Sequence, residues 1–387
     1  MRSLWWVMRI GIDATILESD KPTGMAFYAI NLIREIAKLH DDVVVWTVMG
    51  DLLDVPSNAK RMVLQPFIKR KALLPWVRAV WTQLCLPILL LKERVDVFFS
   101  PIPEGILSPP VPQVLVVHDL VPLVCSGDAP FFRRLSFRTR VPLVLKASSH
   151  IIAVSESTKR DIIALYKIRE EKISVVYEGY DDKHFMKMDP KSIQSTLENY
   201  DLSYKRYFLF VGNFTPRKNI HTLVEAFRYF ADSGIDIPLI LVGNQNIKRD
   251  YTKRVIGMIE DLNLKSKVRL LDYVPFTDLP ALYNGASALV FLSFYEGFGL
   301  PVLEAMACGT PVVVTKSSSL PEVCGDKSTL SVSEGDKEGV VCAMLELSCN
   351  ERLRMNMVHN VSRRSSQFSW KDAACRVLYI ARHLYGE

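Results

Sequence analysis

Ser293-Phe-Tyr-Glu-Gly-Phe-Gly-Leu-Pro-Val-Leu-Glu-Ala-Met-Ala-Cys-Gly309 reads as a strand end, a glycine-bearing loop and a short helix in direct succession. The apolar run Ala288–Phe291 before it has the length and composition of a buried strand. Gly297 and Gly299 let a backbone come close to a ligand. Pro301 suits the first position of a helix and Gly309 its end. Pro311–Val314 then reads as the next strand. Strand, loop, helix and strand make the repeating unit of a parallel sheet. The helix beginning offers unpaired amides and a positive dipole end to phosphate or sugar oxygens.

The same rhythm runs outward in both directions. Toward the N-terminus, Met8–Ile12, Val43–Val48, Val95–Phe99, Val114–Val117, Ile151–Val154 and Ile173–Val176 read as strands, with amphipathic segments such as Ala26–Leu39 and Glu156–Tyr166 between them. It pauses over the polar stretch from His184 to Lys205 and restarts at Tyr207–Val211, Pro238–Val242 and Val268–Leu270. The pattern predicts an α/β protein of two Rossmann-like domains facing across a cleft: residues 1–183, a linker over 184–205, and residues 206–369. A last amphipathic helix, 370–387, closes the chain. Its 387 residues suit two domains better than one. Ligands of such sheets bind beyond the carboxyl ends of the strands, so the loops there carry the chemistry.

A chain with 49% hydrophobic and 23% charged residues is neither disordered nor fibrous. A net charge of +6 is modest, and the basic residues are scattered apart from Lys69-Arg70-Lys71 and Arg133-Arg134, which points to anionic partners without naming them; no nucleic-acid partner is expected. The seven cysteines contain no Cys-x-x-Cys pair and predict neither a disulfide framework nor a zinc site, as in a reducing cytoplasm. Met1 to Val7 is too short for a signal-peptide core, and the apolar run Leu84–Leu91 is too short to span a bilayer. Pro66 to Leu91 interleaves Trp76, Trp81 and Leu84 with Lys69, Arg70, Lys71 and Arg78. That pattern fits a buried amphipathic helix or one lying on a membrane surface.

Four strand-end loops carry candidate chemistry. In the first, Glu296 precedes Gly297, and Glu304 lies about one helical turn in, where it can complement the dipole or bind hydroxyls. The second, Val211-Gly-Asn-Phe-Thr-Pro-Arg-Lys-Asn219, brings Arg217 and Lys218 to a helix start that Asn219 can cap. Two cations there form a diphosphate clamp, or else solvated surface. The third, Val116-Val-His-Asp-Leu-Val-Pro122, offers His118 and Asp119. The fourth, Pro22-Thr-Gly-Met25, has no Gly-x-Gly-x-x-Gly and so no NAD fingerprint. No Asp-x-Asp follows a strand, so no metal is expected and the cations are left to stabilise a leaving diphosphate.

The run from Ser293 to Gly309 resembles, residue for residue, the signature of retaining glycosyltransferase family 4, in which seven residues separate two glutamates. The likeness extends through Asp96-Val-Phe-Phe-Ser-Pro101, Val154-Ser-Glu-Ser-Thr-Lys159, Val176-Tyr-Glu-Gly-Tyr180 and Ser369-Trp370 to nearly the whole chain. It implies the two-domain GT-B fold, with the C-terminal helix returning to the first domain. It implies that Glu304 binds ribose, that Glu296 contacts the transferred sugar, and that Gly297 and the amides of Phe298, Gly299 and Leu300 hold sugar or phosphate. It further implies that Lys218 and Arg217 hold the diphosphate, with Asn213 where relatives have arginine. His118 positions the sugar or shuttles a proton, Asp119 supports it, and Gly24 belongs to a loop over the diphosphate. The base falls near Asn244, Tyr273 and Val274. The resemblance is nearest to bacterial polysaccharide and lipopolysaccharide mannosyltransferases. It therefore implies GDP-mannose as donor, a glycan or lipid-linked oligosaccharide as acceptor, and work at the cytoplasmic membrane face. A UDP-sugar enzyme of this fold, a phosphorylase or epimerase, and a non-catalytic sugar-nucleotide-binding protein are the rival readings.

Overall fold

The computed structural model of the chain describes residues 8–17, 24–48, 59–63, 74–326 and 328–386. Met1–Val7, Pro22-Thr23 and Lys69-Arg70-Lys71 lie outside the described residues. The chain divides into two compact units: 1–124, 129–179 and 369–387 form one, and 125–128 with 180–368 form the other.

The first unit is built on a seven-stranded sheet ordered β3-β2-β1-β4-β5-β6-β7. Its strands are β1 (Ile10–Ala14), β2 (Val43–Thr47), β3 (Lys60–Val63), β4 (Val97–Ser100), β5 (Gln113–Val117), β6 (His150–Ala153) and β7 (Ile173–Val175). Every pairing is parallel. Strands such as β2 and β5 are buried along their whole length, which is why they read as continuous apolar runs without alternation. The helix Trp370–Gly386 belongs to this unit and packs against the helix Gly24–Leu39. Where that last helix begins, a Cβ on Gly179 would run into the Trp370 amide nitrogen, so only glycine lets the two segments approach.

The second unit holds a six-stranded sheet ordered β10-β9-β8-β11-β12-β13. Its strands are β8 (Phe208–Val211), β9 (Leu239–Val242), β10 (Val268–Leu271), β11 (Ala288–Phe291), β12 (Val312–Thr315) and β13 (Thr329–Val332), again all parallel.

Residues 184–205 are not the linker the sequence predicted. They fold into the second unit through a helix, Pro190–Glu198, capped by the Asp189 carboxylate. Ile193 and Leu197 are buried in that unit's core with Phe185 and Leu202. Those anchors are few and widely spaced, and the other helix faces meet solvent, so the segment's composition looked polar throughout.

Candidate active site

From β8 the chain of the second unit moves outward to β9 and β10, then returns to β11 and moves the other way. β8 and β11 therefore flank the switch point, where an open α/β sheet leaves a crevice at its carboxyl edge. The loop after β8 supplies Arg217 and Lys218 from a single 3-10 turn, Pro216–Lys218. The loop after β11 supplies Glu296.

These three side chains meet. Lys218 Nζ donates to Glu296 Oε1 at 2.7 Å, and Arg217 Nη1 reaches the same oxygen at 2.7 Å. Arg217 also bonds the Tyr295 carbonyl, and its Nε lies 3.6 Å from Asp128 Oδ2. Lys218 stands 4.5 Å from the centroid of the Phe291 ring, a cation–π contact. Burial alone would push the Glu296 carboxyl up, but Lys218 and Arg217 outweigh it and hold the group at about 2. Burial draws the Lys218 ammonium down, with Glu296 opposing. Glu296 is thus a fixed carboxylate inside a cationic clamp.

Hydroxyls from the end of β12 and the loop after it hold the Glu296 loop in place. The Glu296 amide donates to Ser318 Oγ at 2.8 Å. Ser319 Oγ lies 3.0 Å from the Glu296 carbonyl and 2.8 Å from the Phe298 carbonyl, and shares its one proton between them. Thr315 Oγ1 donates to the Ser293 carbonyl at 2.6 Å. Gly299 adopts φ +110° as the N-cap of the helix Leu300–Ala307, a conformation reserved for glycine. Phe298 is buried against Phe368, so only its backbone can face a ligand.

Glu304, within that helix, forms no ion pair among the described residues. Its Oε2 accepts from the hydroxyl of the fully buried Tyr283 at 2.9 Å, and burial pushes its carboxyl up to about 8, the tyrosine bond opposing. Two glutamates on one loop-and-helix segment therefore sit at opposite ends of the titration range.

Asn213, Asn244 and Tyr273 are exposed on the loops after β8, β9 and β10. The Phe214 amide bonds the Asn244 carbonyl at 3.4 Å. The Val274 side chain is buried in the core, so only its backbone could meet a ligand. Asn219 corrects an expectation: it occupies the N-cap in a left-handed conformation, φ 55°, but its side chain makes no cap bond. Both of its amide atoms are buried without hydrogen-bond partners among the described residues.

In the first unit, His118 is buried with both ring nitrogens engaged. Nδ1 lies 3.2 Å from Glu178 Oε1 and Nε2 lies 2.8 Å from the Pro101 carbonyl oxygen. Burial would lower its pKa, but the Glu178 bond and charge, with Pro101, raise it overall. The edge of Tyr28 packs on it, with ring centroids 4.5 Å apart. Two acceptors on one imidazole favour the doubly protonated ring and fix its orientation. Asp119 Oδ1 accepts from the Val121 amide at 3.0 Å, a turn-forming bond. Gly24 is the exposed first residue of its helix, with open space where a side chain would stand. Among the described residues no group of three or more His, Cys, Asp or Glu is placed to hold a metal ion, and no helix is long and apolar enough to cross a membrane.

Asp128, Tyr283, Ser318 and Ser319 were not singled out from sequence, and Glu178 entered only within the Val176–Tyr180 stretch of the resemblance. For the serines the local signal is the run Ser317-Ser-Ser319 shortly after a strand.

The family profile described as "Glycosyl transferases group 1" matches residues 198–364, and that described as "Glycosyltransferase Family 4" matches residues 22–184. O-antigen chain mannosyltransferase B of Escherichia coli is 30% identical over 266 residues, 68% of this chain and 68% of that protein. The chain belongs to glycosyltransferase family 4. It is a hexosyltransferase in class. A second relative, the O-antigen chain mannosyltransferase RfbU of Salmonella typhimurium, is 35% identical over 211 residues, which is 54% of each chain. Among solved structures, Anabaena HepE in complex with UDP and glucose matches with a TM-score of 0.73 at 20% identity, covering 96% of this chain and 99% of that one. A sucrose-phosphate synthase from Thermosynechococcus elongatus matches with a TM-score of 0.76 at 19% identity, covering 98% and 99%. This family 4 glycosyltransferase therefore has the GT-B fold, two Rossmann-like domains built on parallel sheets.

Proposed function

We propose that the enzyme moves mannose from GDP-mannose, with retention of configuration, to a glycan or lipid-linked saccharide. The observation that carries this reading is the buried Lys218–Glu296–Arg217 cluster at the switch point of the second sheet, taken with the similarity to O-antigen chain mannosyltransferases. In this reading Lys218, Arg217 and the first-turn amides of the helix Leu300–Ala307 receive the diphosphate, with Asn213 beside them. Glu304 takes the ribose hydroxyls, and the base lies against Asn244, Tyr273 and the Val274 backbone. Gly297 and Gly299 let the loop backbone reach the sugar.

Glu296, ionised far below neutral pH, cannot protonate a leaving group. It can face the positive charge that develops at the anomeric carbon as the bond to the diphosphate oxygen breaks. The acceptor hydroxyl forms its bond on the face the diphosphate leaves, and its proton passes to the departing diphosphate oxygen. His118, held between Glu178 and the Pro101 carbonyl, orders the first unit's strand ends. An acceptor carried on a lipid would bring the protein to the cytoplasmic face of a membrane.

A thermal-shift screen with GDP, UDP, ADP and GDP-mannose tests the donor, because a ligand that binds only the folded state raises the melting temperature. GDP and GDP-mannose are expected to give the largest shifts. A shift with UDP in place of GDP would transfer the reading to a UDP-sugar enzyme, and donor binding without hydrolysis or transfer would make the protein a binding module. Because the cations carry the leaving-group charge here, transfer is expected to persist in EDTA. Loss restored by magnesium or manganese would overturn that step.

A further inference from the structure

Arg217 and Lys218 bring two positive charges into a buried site, and two carboxylates answer them. Glu296 gives one oxygen to both cations, 2.7 Å from each. The second carboxylate is Asp128, whose Oδ2 faces Arg217 Nε at 3.6 Å with its side chain 6% exposed. The four charges sum to zero. A diphosphate on this clamp is therefore attracted by two cations and repelled by two anions, and a buried site screens neither effect.

The two carboxylates are held very differently. Glu296 is fixed: both cations grip it, its amide donates to Ser318, and its carbonyl accepts from Ser319. Asp128 stands at the end of a 3-10 turn, Ser126–Asp128, in the short segment 125–128 of the second unit. That turn lies beside the turn Pro216–Lys218, and Lys248 Nζ donates to its Gly127 carbonyl at 2.9 Å. Asp128 Oδ2 is buried, yet it makes no hydrogen bond among the described residues. A carboxylate on a short turn moves at lower cost than one locked into a hydrogen-bonded loop.

Asp128 also lacks the geometry of a residue that orients an arginine. Such a residue grips the guanidinium through paired short bonds, as Glu104 grips Arg78 at 2.9 and 2.8 Å. At 3.6 Å Asp128 supplies charge without a hydrogen bond to Nε. That charge reaches past Arg217. Burial draws the Lys218 ammonium down, Glu296 is the chief group opposing it, and Asp128 adds to the opposition.

We propose that Asp128 sets the enzyme's affinity for nucleoside diphosphate: its charge competes for the clamp, yields as the donor's diphosphate arrives, and hastens departure of the diphosphate after transfer. An enzyme that held donor and product equally tightly would gain nothing in turnover, so a built-in competing charge serves the cycle. The inference deepens the diphosphate role proposed above for Arg217 and Lys218 and rests on that role, but not on the identity of the base.

Calorimetry with GDP, UDP, ADP and the matching nucleosides tests it on the wild type, Asp128→Asn and Asp128→Glu. Asparagine keeps the size and an acceptor oxygen and removes the charge. Asp128→Asn is expected to bind the preferred nucleoside diphosphate about tenfold or more tightly than the wild type. Affinity for the matching nucleoside, which has no phosphate, should not change, and Asp128→Glu should stay near the wild-type value. In transfer assays the donor KM and the inhibition constant of the free diphosphate should fall together in Asp128→Asn. Melting curves check the fold, and Asp128→Ser removes the same charge if the asparagine variant does not fold. Unchanged affinity in the folded variant would overturn the proposal, and weaker affinity would make Asp128 a support for Arg217. An equal gain for the nucleoside, or Asp128→Glu behaving as Asp128→Asn, would overturn it as well. A wild type that binds UDP and not GDP loses only the donor reading, and the proposal is then decided with UDP. GDP binding that Asp128→Asn leaves unchanged loses only this proposal, and a wild type that binds no nucleoside diphosphate loses both.

Discussion

Glu296 keeps its charge because two cations share one of its oxygens, whereas Glu304, partnered by a tyrosine hydroxyl, holds its proton up to about pH 8. Lys218→Met should weaken nucleoside-diphosphate binding about 10- to 100-fold, the effect of losing a charge-assisted contact, and should also destabilise the fold by leaving Glu296 short of a partner. Adding Glu296→Gln to that variant should restore stability without restoring transfer. Melting curves and calorimetry on the two single variants and the double would show it, and a double variant less stable than Lys218→Met alone would contradict the pairing. Glu304 makes the opposite case. Unfolded, it titrates near 4.5, and folded near about 8. Between those values the folded chain holds a proton that the unfolded chain has released, so this group's contribution to stability is full at low pH and falls as pH rises toward 8. In Glu304→Gln that slope disappears. The variant's melting temperature should therefore gain on the wild type from about pH 5 to about pH 8. Nucleotide affinity of the wild type should rise over the upper part of that range, as the carboxylate becomes able to accept ribose hydroxyls. Parallel curves for the two proteins would show that Glu304 is already ionised.

At the scale of elements, the glycine loop depends on a neighbour distant in sequence. Gly299 stands at φ +110°, and a Cβ there would also meet Leu320 Cδ2 at 3.0 Å. Gly299→Ala should cost about 1–3 kcal/mol and lower donor affinity more than a remote change of equal cost, because the strained residue opens the helix Leu300–Ala307. A variant with normal GDP affinity and lowered stability would make the glycine purely structural. What could be read from sequence follows the same division between local and distant. β5 and β11 were legible because strands buried on both faces are unbroken apolar runs. β3 and β13 were not, because polar residues interrupt them: Lys60 and Arg61 are exposed, and Thr329 and Ser331 are half-buried. The motif residues Lys218 and Glu296 stood out locally, but their meeting depends on β8 and β11 being neighbours, which no spacing along the chain encodes. Ser318 and Ser319 act only because the loops after β11 and β12 emerge side by side. The Tyr283–Glu304 and His118–Glu178 pairs were hidden for the same reason.

At the scale of the molecule, the chain closes the first unit with its last helix. Trp370, Ala373, Ala374, Val377, Leu378, Ile380 and Ala381 are buried on Trp370–Gly386, which lies against Gly24–Leu39, itself buried along Ala26, Tyr28, Ala29, Leu32, Ile33 and Ile36. A chain ended after Phe368 would keep every residue of the second unit and expose this apolar face of the first. Each large side chain returned to water loses roughly 1.5–3 kcal/mol, and Trp370, Val377, Leu378 and Ile380 lose theirs together with the residues they cover. That sum is comparable to the whole stability of a domain, so the first unit should unfold or melt far below its normal temperature. The second unit keeps its own core from Phe185 to Val361, together with the Lys218–Glu296 cluster. The shortened protein should therefore melt in two separate steps, of which only the upper one moves when GDP is added. One cooperative step shifted throughout by GDP would mean that the two units stand or fall together, and that the last helix is not what holds the first.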